Sequence, residues 1–263
     1  MSFSFNIPMD VRVYKKWVNP YITDGLVAMW DGIWNAGWGV HSAFPDKWVD
    51  LTGNGNDAYP SEDPLMFDDD SLVYTGRTDV CCWSVNTLSD AMKTLASRTG
   101  KFYTVQFRVD ITSGSNNAEV CSMPGANGSV EAFSIRLASG SVYIIGGVYN
   151  QHSLSNYRSN SYSYSCADLT ENGVKQFMWI GYRGEIASLK APFEKFSNSG
   201  KVEQVSVSPK VFAEPLTFGY NGRTANKNPW TGKLHNIRFY DRELTDDEVK
   251  YNFDVDLERF GTV

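Results

Sequence analysis

WTGKLHNIRFYDRELTDDEVKYNF, running from Trp230 to Phe253, reads as a closing strand joined to a short capped helix. Ile237 and Phe239 alternate with Asn236, Arg238 and Tyr240, the period-2 pattern of a strand with one face in a core. Thr245 followed by Glu248 forms a capping box. The threonine oxygen accepts from the Glu248 backbone N–H, and the glutamate carboxylate reaches back to the Thr245 N–H. Leu244 and Val249 occupy the two positions of a hydrophobic staple, and Asp246 and Asp247 favour the positive end of the helix dipole.

Strand signals continue outward from this segment. Gly25 to Trp30 predicts a core strand with Leu26, Ala28 and Trp30 on one face. Phe102 to Ile111 alternates most regularly, predicting Val105, Phe107, Val109 and Ile111 inward and Thr104, Gln106, Arg108 and Asp110 toward water. Val73 to Trp83 and Val202 to Val207 add further strands, and Val130 to Leu137 with Ser141 to Tyr149 predicts a hairpin about Ala138-Ser139-Gly140. Thr87 to Ser97 carries Leu88, Ala91, Met92 and Leu95 at helical spacing. Short, evenly spaced strands of this kind favour two antiparallel sheets over a parallel α/β fold.

PLTFGYNG (Pro215 to Gly222) followed by WTGKLHNIRFYDRELTDDEV resembles the C-terminal signature of laminin G-like, concanavalin A-like domains. GLVAMWD (Gly25 to Asp31) and WVDLTGNGNDA (Trp48 to Ala58) resemble the opening strand and the glycine-asparagine turn of the same family, with Thr52 where serine is usual. Gln176 to Tyr182 and Ile186 to Leu189 resemble its paired late strands. The resemblance implies an all-β fold: a two-sheet antiparallel jelly-roll sandwich, concanavalin A-like, with a short C-terminal helix. It places the domain at residues 24–263 and leaves residues 1–23 as an N-terminal arm. Function is not implied to the same degree, since this fold hosts lectins, adhesins, enzymes and structural proteins.

Composition narrows the classes. Across 263 residues, 42% are hydrophobic, 14% aromatic and only 21% charged, a profile suited to a globular β-protein with aromatic surface to spare. A net charge of -6 without a basic cluster disfavours nucleic acid and anionic membrane as direct partners. No apolar run approaches membrane-spanning length, and MSFSFNIPMDVRVYKK has polar residues where a signal peptide needs an apolar stretch. Cys81, Cys82, Cys121 and Cys166 lack zinc spacing and read as small core or half-buried residues, with a Cys121 to Cys166 bridge left open. The arm either attaches the domain to a larger assembly or packs on its own sandwich.

Asp31 to Phe44, DGIWNAGWGVHSAF, is the leading candidate for a ligand site. Glycine permits unusual dihedrals, and Trp34 and Trp38 offer flat faces on which sugar rings stack. The competing reading is that these tryptophans plug one end of the sandwich. Candidate ligand-binding groups are Asp31, Trp34, Trp38 and His41, with Tyr220, Asn221, Arg223 and Trp230 in the loop before the closing strand. Asp50, Asn54, Asn56 and Asp57 could hold Ca2+, although their spacing is not that of an EF-hand and favours a structural turn. Asp68-Asp69-Asp70 reads as a solvated turn. NQHSLSNYRSNSYSYS (Asn150 to Ser165) fits a tyrosine-rich recognition loop or an edge strand equally well.

Catalysis finds little support. No Glu-x-Asp pair lies on a core strand, as retaining jelly-roll glucanases require. His41, His152 and His235 are scattered, no Gly-x-Ser-x-Gly elbow occurs, and His235 reads as a surface residue. The expectation is a non-catalytic glycan-binding or adhesion module at a virion or cell surface, with a glycan or glycan-bearing cell surface and protein neighbours in a larger assembly as partners. A purely structural decoration subunit held by its arm is the alternative, and a polysaccharide-degrading hydrolase the second.

Overall fold

A computed structural model describes residues 18–77, 79–97, 103–114, 118–124, 131–138, 141–146, 162–165, 174–182, 185–191, 194–196, 215–220, 230–242 and 244–260. In chain order the strands are β1 Leu26–Asp31, β2 Tyr59–Pro60, β3 Met66–Phe67, β4 Leu72–Thr75 and β5 Cys81–Val85. Helix α1, Asp90–Ser97, follows, then β6 Tyr103–Gly114, β7 Ala118–Pro124, β8 Glu131–Ala138, β9 Ser141–Gly146 and β10 Tyr162–Ser165. The chain continues with β11 Val174–Tyr182, β12 Glu185–Ala191, β13 Glu194–Phe196, β14 Leu216–Tyr220, β15 Trp230–Tyr240 and helix α2, Asp246–Phe260.

The described strands form two antiparallel sheets. One has the order β13-β12-β11-β6-β15-β4-β3, with β1 also paired to β15, and the other has the order β10-β9-β8-β7-β14-β5-β2. The first and last strands meet as their patterns require, Leu26 opposite Tyr240 and Asp31 opposite Asn236. The hairpin about residues 138–141 and the pairing of β11 with β12 also form. Tyr162–Ser165 is the outermost described strand of the second sheet, the edge-strand alternative, while residues 150–161 and 202–207 lie outside the described residues.

Apolar side chains from both sheets make the core between them: Ala28, Trp30, Val105, Phe107, Val109, Ile237 and Phe239 meet Trp83, Val85, Val120, Cys121 and Phe218. The Trp30 ring sits edge-on to Phe218 and Phe239 at centroid distances of 5.2 and 6.0 Å. Buried indoles keep a partner for their N–H, Trp30 donating to the Asn56 carbonyl, Trp48 to Asp31 and Trp83 to Leu65. Cys121 is buried in this core and Cys166 lies outside the described residues.

Three expectations change. Thr104, Gln106 and Arg108 are buried rather than wet, because α2 lies over that face: Asn252 donates to Gln106, and Gln106 to the Val249 carbonyl. Leu26 leaves the Ala28 and Trp30 face, since a register shift between Leu26 and Ala28 sends it to a second apolar cluster with Tyr21, Met29, Leu51 and Val255. His235 is buried rather than exposed. It sits at a bulge between Leu234 and Asn236, which turns its ring toward Phe260 at a centroid distance of 5.3 Å. The helix itself runs 15 residues, past the Phe253 where its sequence signal fades.

Candidate functional site

The aromatic loop exists because two strands compete for one edge of β15. β1 pairs with residues 236–240 and β4 takes over the same strand at Leu234, so the chain must leave the sheet after Asp31. Gly32 makes the exit, its N–H donating to the His235 carbonyl at 2.8 Å. A Cβ at this position would lie 2.2 Å from the Asp70 carbonyl oxygen, so only glycine fits beside the turn between β3 and β4.

The loop then ties itself together. The Trp34 N–H donates to the Asp31 carboxylate at 3.0 Å and Gly37 to the Trp34 carbonyl at 3.2 Å. Ala36 and Val40 are bridged in turn, with Gly37 and Gly39 at positive φ allowing the reversal. Buried Asn35 grips Ser42 from both sides, donating to its carbonyl at 2.7 Å and accepting from its N–H at 2.9 Å. His41 closes the base by donating from Nδ1 to the Gly32 carbonyl at 3.0 Å. These contacts make a compact Ω-type loop whose shape is set before any ligand arrives.

Trp34 and Trp38 stand together, ring centroids 5.1 Å apart and planes tilted by 53°. Both are half-buried against the cluster of Tyr21, Met29, Leu51 and Val255, and Trp38 donates its indole N–H to the Leu51 carbonyl at 3.0 Å. They lie over the face that α2 covers, apart from the core between the sheets. Val40, 52% exposed, Phe44, 76% exposed, and exposed His41 lie on the same loop.

Asp31, expected among the ligand-binding groups, is the loop's internal anchor. It has no exposure, and both its oxygens accept from Arg259, at 2.6 and 3.0 Å. The second loop is described only at its ends. Tyr220 closes β14 opposite Cys81, and Trp230 opens β15 opposite Gly114. Asn221 and Arg223 lie outside the described residues. Trp230 is toward the same end of β15 as the aromatic loop, but its backbone is roughly 17 Å beyond His235 at ~3.3 Å per strand residue.

A layer of charge lies beneath α2. Arg238 meets Asp256 through two bonds of 2.7 Å, and Asp256 also accepts from Asn236 at 2.7 Å and from the Tyr21 hydroxyl at 2.6 Å. The same hydroxyl accepts from Arg259 at 2.8 Å, which joins the Arg238–Asp256 pair to the Arg259–Asp31 pair. Burial, then the Asp256 charge, pushes the Tyr21 hydroxyl well above its ordinary pKa. Arg238 is held charged by Asp256 although burial alone would work against it. The arm residues that are described therefore pack on this sandwich, Ile22 adding a bond from its N–H to Asn252.

The calcium candidate does not fit a cation. Asp50 accepts from the N–H of Met29, Thr52 and Asn56, from the Thr52 hydroxyl and from the Asn56 amide. Donor hydrogens point where an ion would have to sit. Asp57 is similarly engaged by the Asp50 N–H and Lys47. In the acidic triplet, Asp68 and Asp70 face Lys233, and Asp70 lies 3.5 Å from His235. Among the described residues no group of three or more His, Cys, Asp or Glu is arranged to hold a metal. No described helix is long and apolar enough to cross a membrane.

Sequence reasoning missed Arg259, Tyr21, Val40 and Phe44. Arg259 was accessible as the basic residue in the last turn of α2, but nothing local pointed it at Asp31.

No family model and no curated protein matches the chain. Solved structures do. Trypanosoma rangeli sialidase in complex with sialic acid aligns with a TM-score of 0.62 at 12% identity, covering 91% of this chain and 34% of that one. The receptor binding domain of botulinum neurotoxin C/D mosaic serotype aligns at 0.61 and 12% identity, covering 90% and 53%. The binding domain of botulinum neurotoxin DC in complex with rat synaptotagmin II aligns at 0.62 and 14%, covering 89% and 52%. The chain thus spans about a third of the sialidase and about half of each toxin chain. At these identities the likeness is one of fold.

Proposed function

We propose that the chain is a non-catalytic recognition module of the laminin G-like, concanavalin A-like jelly-roll kind, binding glycans on a cell surface and displayed on a larger assembly such as a virion. Residues 24–263 form the module and residues 1–23 its arm. The observation that carries this reading is the preformed loop of residues 32–47, which holds Trp34 and Trp38 as a rigid pair beside exposed His41 and Phe44. Rigid aromatic faces contribute contact area at low entropic cost, which is how sugar rings and receptor surfaces are held. Neighbours of similar fold include a sialidase complexed with sialic acid and toxin receptor binding domains, and these support a recognition role.

Trp34, Trp38, His41 and Phe44 form the contact face, Asp31 sets the loop from below, and Tyr220, Asn221, Arg223 and Trp230 extend the site from the neighbouring loop. Hydrolysis is disfavoured because Asp31, the carboxylate at the base of the loop, is committed to Arg259. The test is a glycan array with the unmodified chain and with Trp34→Ala, Trp38→Ala and Phe44→Ala. Binding to a defined set of glycans, weakened about tenfold or more by loss of a stacking ring, is expected. No binding to any glycan would refute the reading, and turnover of a bound polysaccharide would replace it with an enzymatic one.

The same loop supports a second reading, a protein surface as the partner. Phe44 and Val40 are large, apolar and exposed, and a structural subunit of an assembly would use them as a docking contact.

A further inference from the structure

We infer that Arg259, in the last turn of α2, is the positioning residue of the recognition loop, so that the C-terminal helix forms part of the binding device. The inference rests on the proposed reading of the 32–47 loop as the ligand contact. It adds a requirement that the loop's own residues do not reveal.

Arg259 touches every element that holds the loop in place. Its guanidinium forks onto both oxygens of Asp31 at 2.6 and 3.0 Å, and Asp31 in turn accepts the Trp34 N–H at 3.0 Å. The same guanidinium lies 3.7 Å from the Trp34 ring centroid and donates to the Tyr21 hydroxyl at 2.8 Å. Trp34 is thereby fixed twice, at its backbone through Asp31 and at its ring by the cation above it. Trp38 leans on Trp34 at 5.1 Å, so the orientation of the pair follows from that of Trp34. A planar fork that also stacks is a property of arginine; a lysine would keep the charge and lose the geometry.

Helix α2 has its own anchors. Asn252 bonds to Gln106, Tyr240 and Ile22, and Asp256 bonds to Arg238 and Asn236. Removing the Arg259 fork should therefore leave the helix docked and release the loop. Nothing in the sandwich core depends on Arg259, whose partners are Asp31, Tyr21 and the rings of Trp34 and Phe260.

The experiment compares the full chain with its Arg259→Gln and Arg259→Lys variants. Two closely spaced, tilted indoles give an exciton couplet in circular dichroism, which reports the Trp34–Trp38 geometry without any ligand. Arg259→Gln is expected to reduce the couplet by half or more. It should raise amide exchange in residues 34–42 about tenfold, the order expected for loss of one charge-assisted bidentate contact, with β6, β15 and residues 246–256 unchanged. Arg259→Lys should recover thermal stability without restoring the couplet. Glycans bound by the unmodified chain should bind both variants about tenfold more weakly.

A couplet and loop exchange at the unmodified level in both variants would overturn the inference, as would a rise in exchange spread evenly over β6 and β15. A lost couplet with unchanged glycan affinity would overturn the role in recognition. Should Arg259→Gln not fold, Arg259→Lys is read against the same outcomes. If the unmodified chain binds no glycan, the functional proposal fails by itself, and the couplet and exchange still decide whether Arg259 positions the loop.

Discussion

At the scale of single residues, the layer under α2 is held by charge in place of apolar packing. Asp256 stands among Arg238, Asn236 and Tyr21 with no solvent to replace any of them. Asp256→Ala should therefore lower unfolding free energy by about 3–5 kcal/mol, because it leaves a buried guanidinium uncompensated. Equilibrium denaturation would measure this, and a loss under 1 kcal/mol would show that water reaches Arg238 easily. Gly32 is the second sensitive position. Gly32→Ala should cost about 1–3 kcal/mol, since the added carbon meets the Asp70 carbonyl at 2.2 Å, and it should disturb the loop as well as the fold.

At the scale of elements, α2 begins as its sequence says and ends where only the fold explains it. The Thr245 N–H donates to the Glu248 carboxylate at 2.8 Å and the Glu248 N–H to the Thr245 hydroxyl at 3.3 Å, so both halves of the capping box form. The Arg242 guanidinium, opposed by partial burial and helped by the Thr245 N–H, holds the Glu248 carboxyl down to about 2 from its ordinary 4.5. A depressed carboxyl stabilises the fold above its unfolded pKa and ceases to do so as pH falls through the folded one. Thermal stability should decline between pH 4.5 and about 2 on this account. Glu248→Gln should flatten that part of the pH profile while lowering stability at neutral pH; an unchanged profile would remove Glu248 from the account. Local signals of this kind are legible because every participant lies within a turn of chain. The inner face of α2 was not, because Asn252, Asp256 and Arg259 recur at helical spacing as polar residues, and an apolar stripe is what usually marks a packed helix.

For the whole molecule, α2 makes up one layer of a three-layer arrangement on the first sheet's outer side. Truncation after Leu244 should abolish cooperative unfolding, because Gln106, Arg108 and Arg238 would be left on an exposed sheet face without Asn252 and Asp256. Near-ultraviolet circular dichroism of the truncated chain, expected to be featureless, checks this. The likeness of fold to longer sialidase and toxin chains fits a module that is reused within larger proteins.

Sequence by itself determined what depends on neighbours along the chain. The alternation of β6 and β15, the hairpin about residues 138–141, α1 and the start of α2 were all readable, because period, turn chemistry and capping act over a few residues. Tertiary structure decided the rest: that the polar face of β6 is roofed by a helix, that a bulge buries His235, and that Asp31 is spent on Arg259. Each of these joins residues far apart in the chain, and a pattern of alternating polarity records which face a side chain takes without recording what comes to cover it.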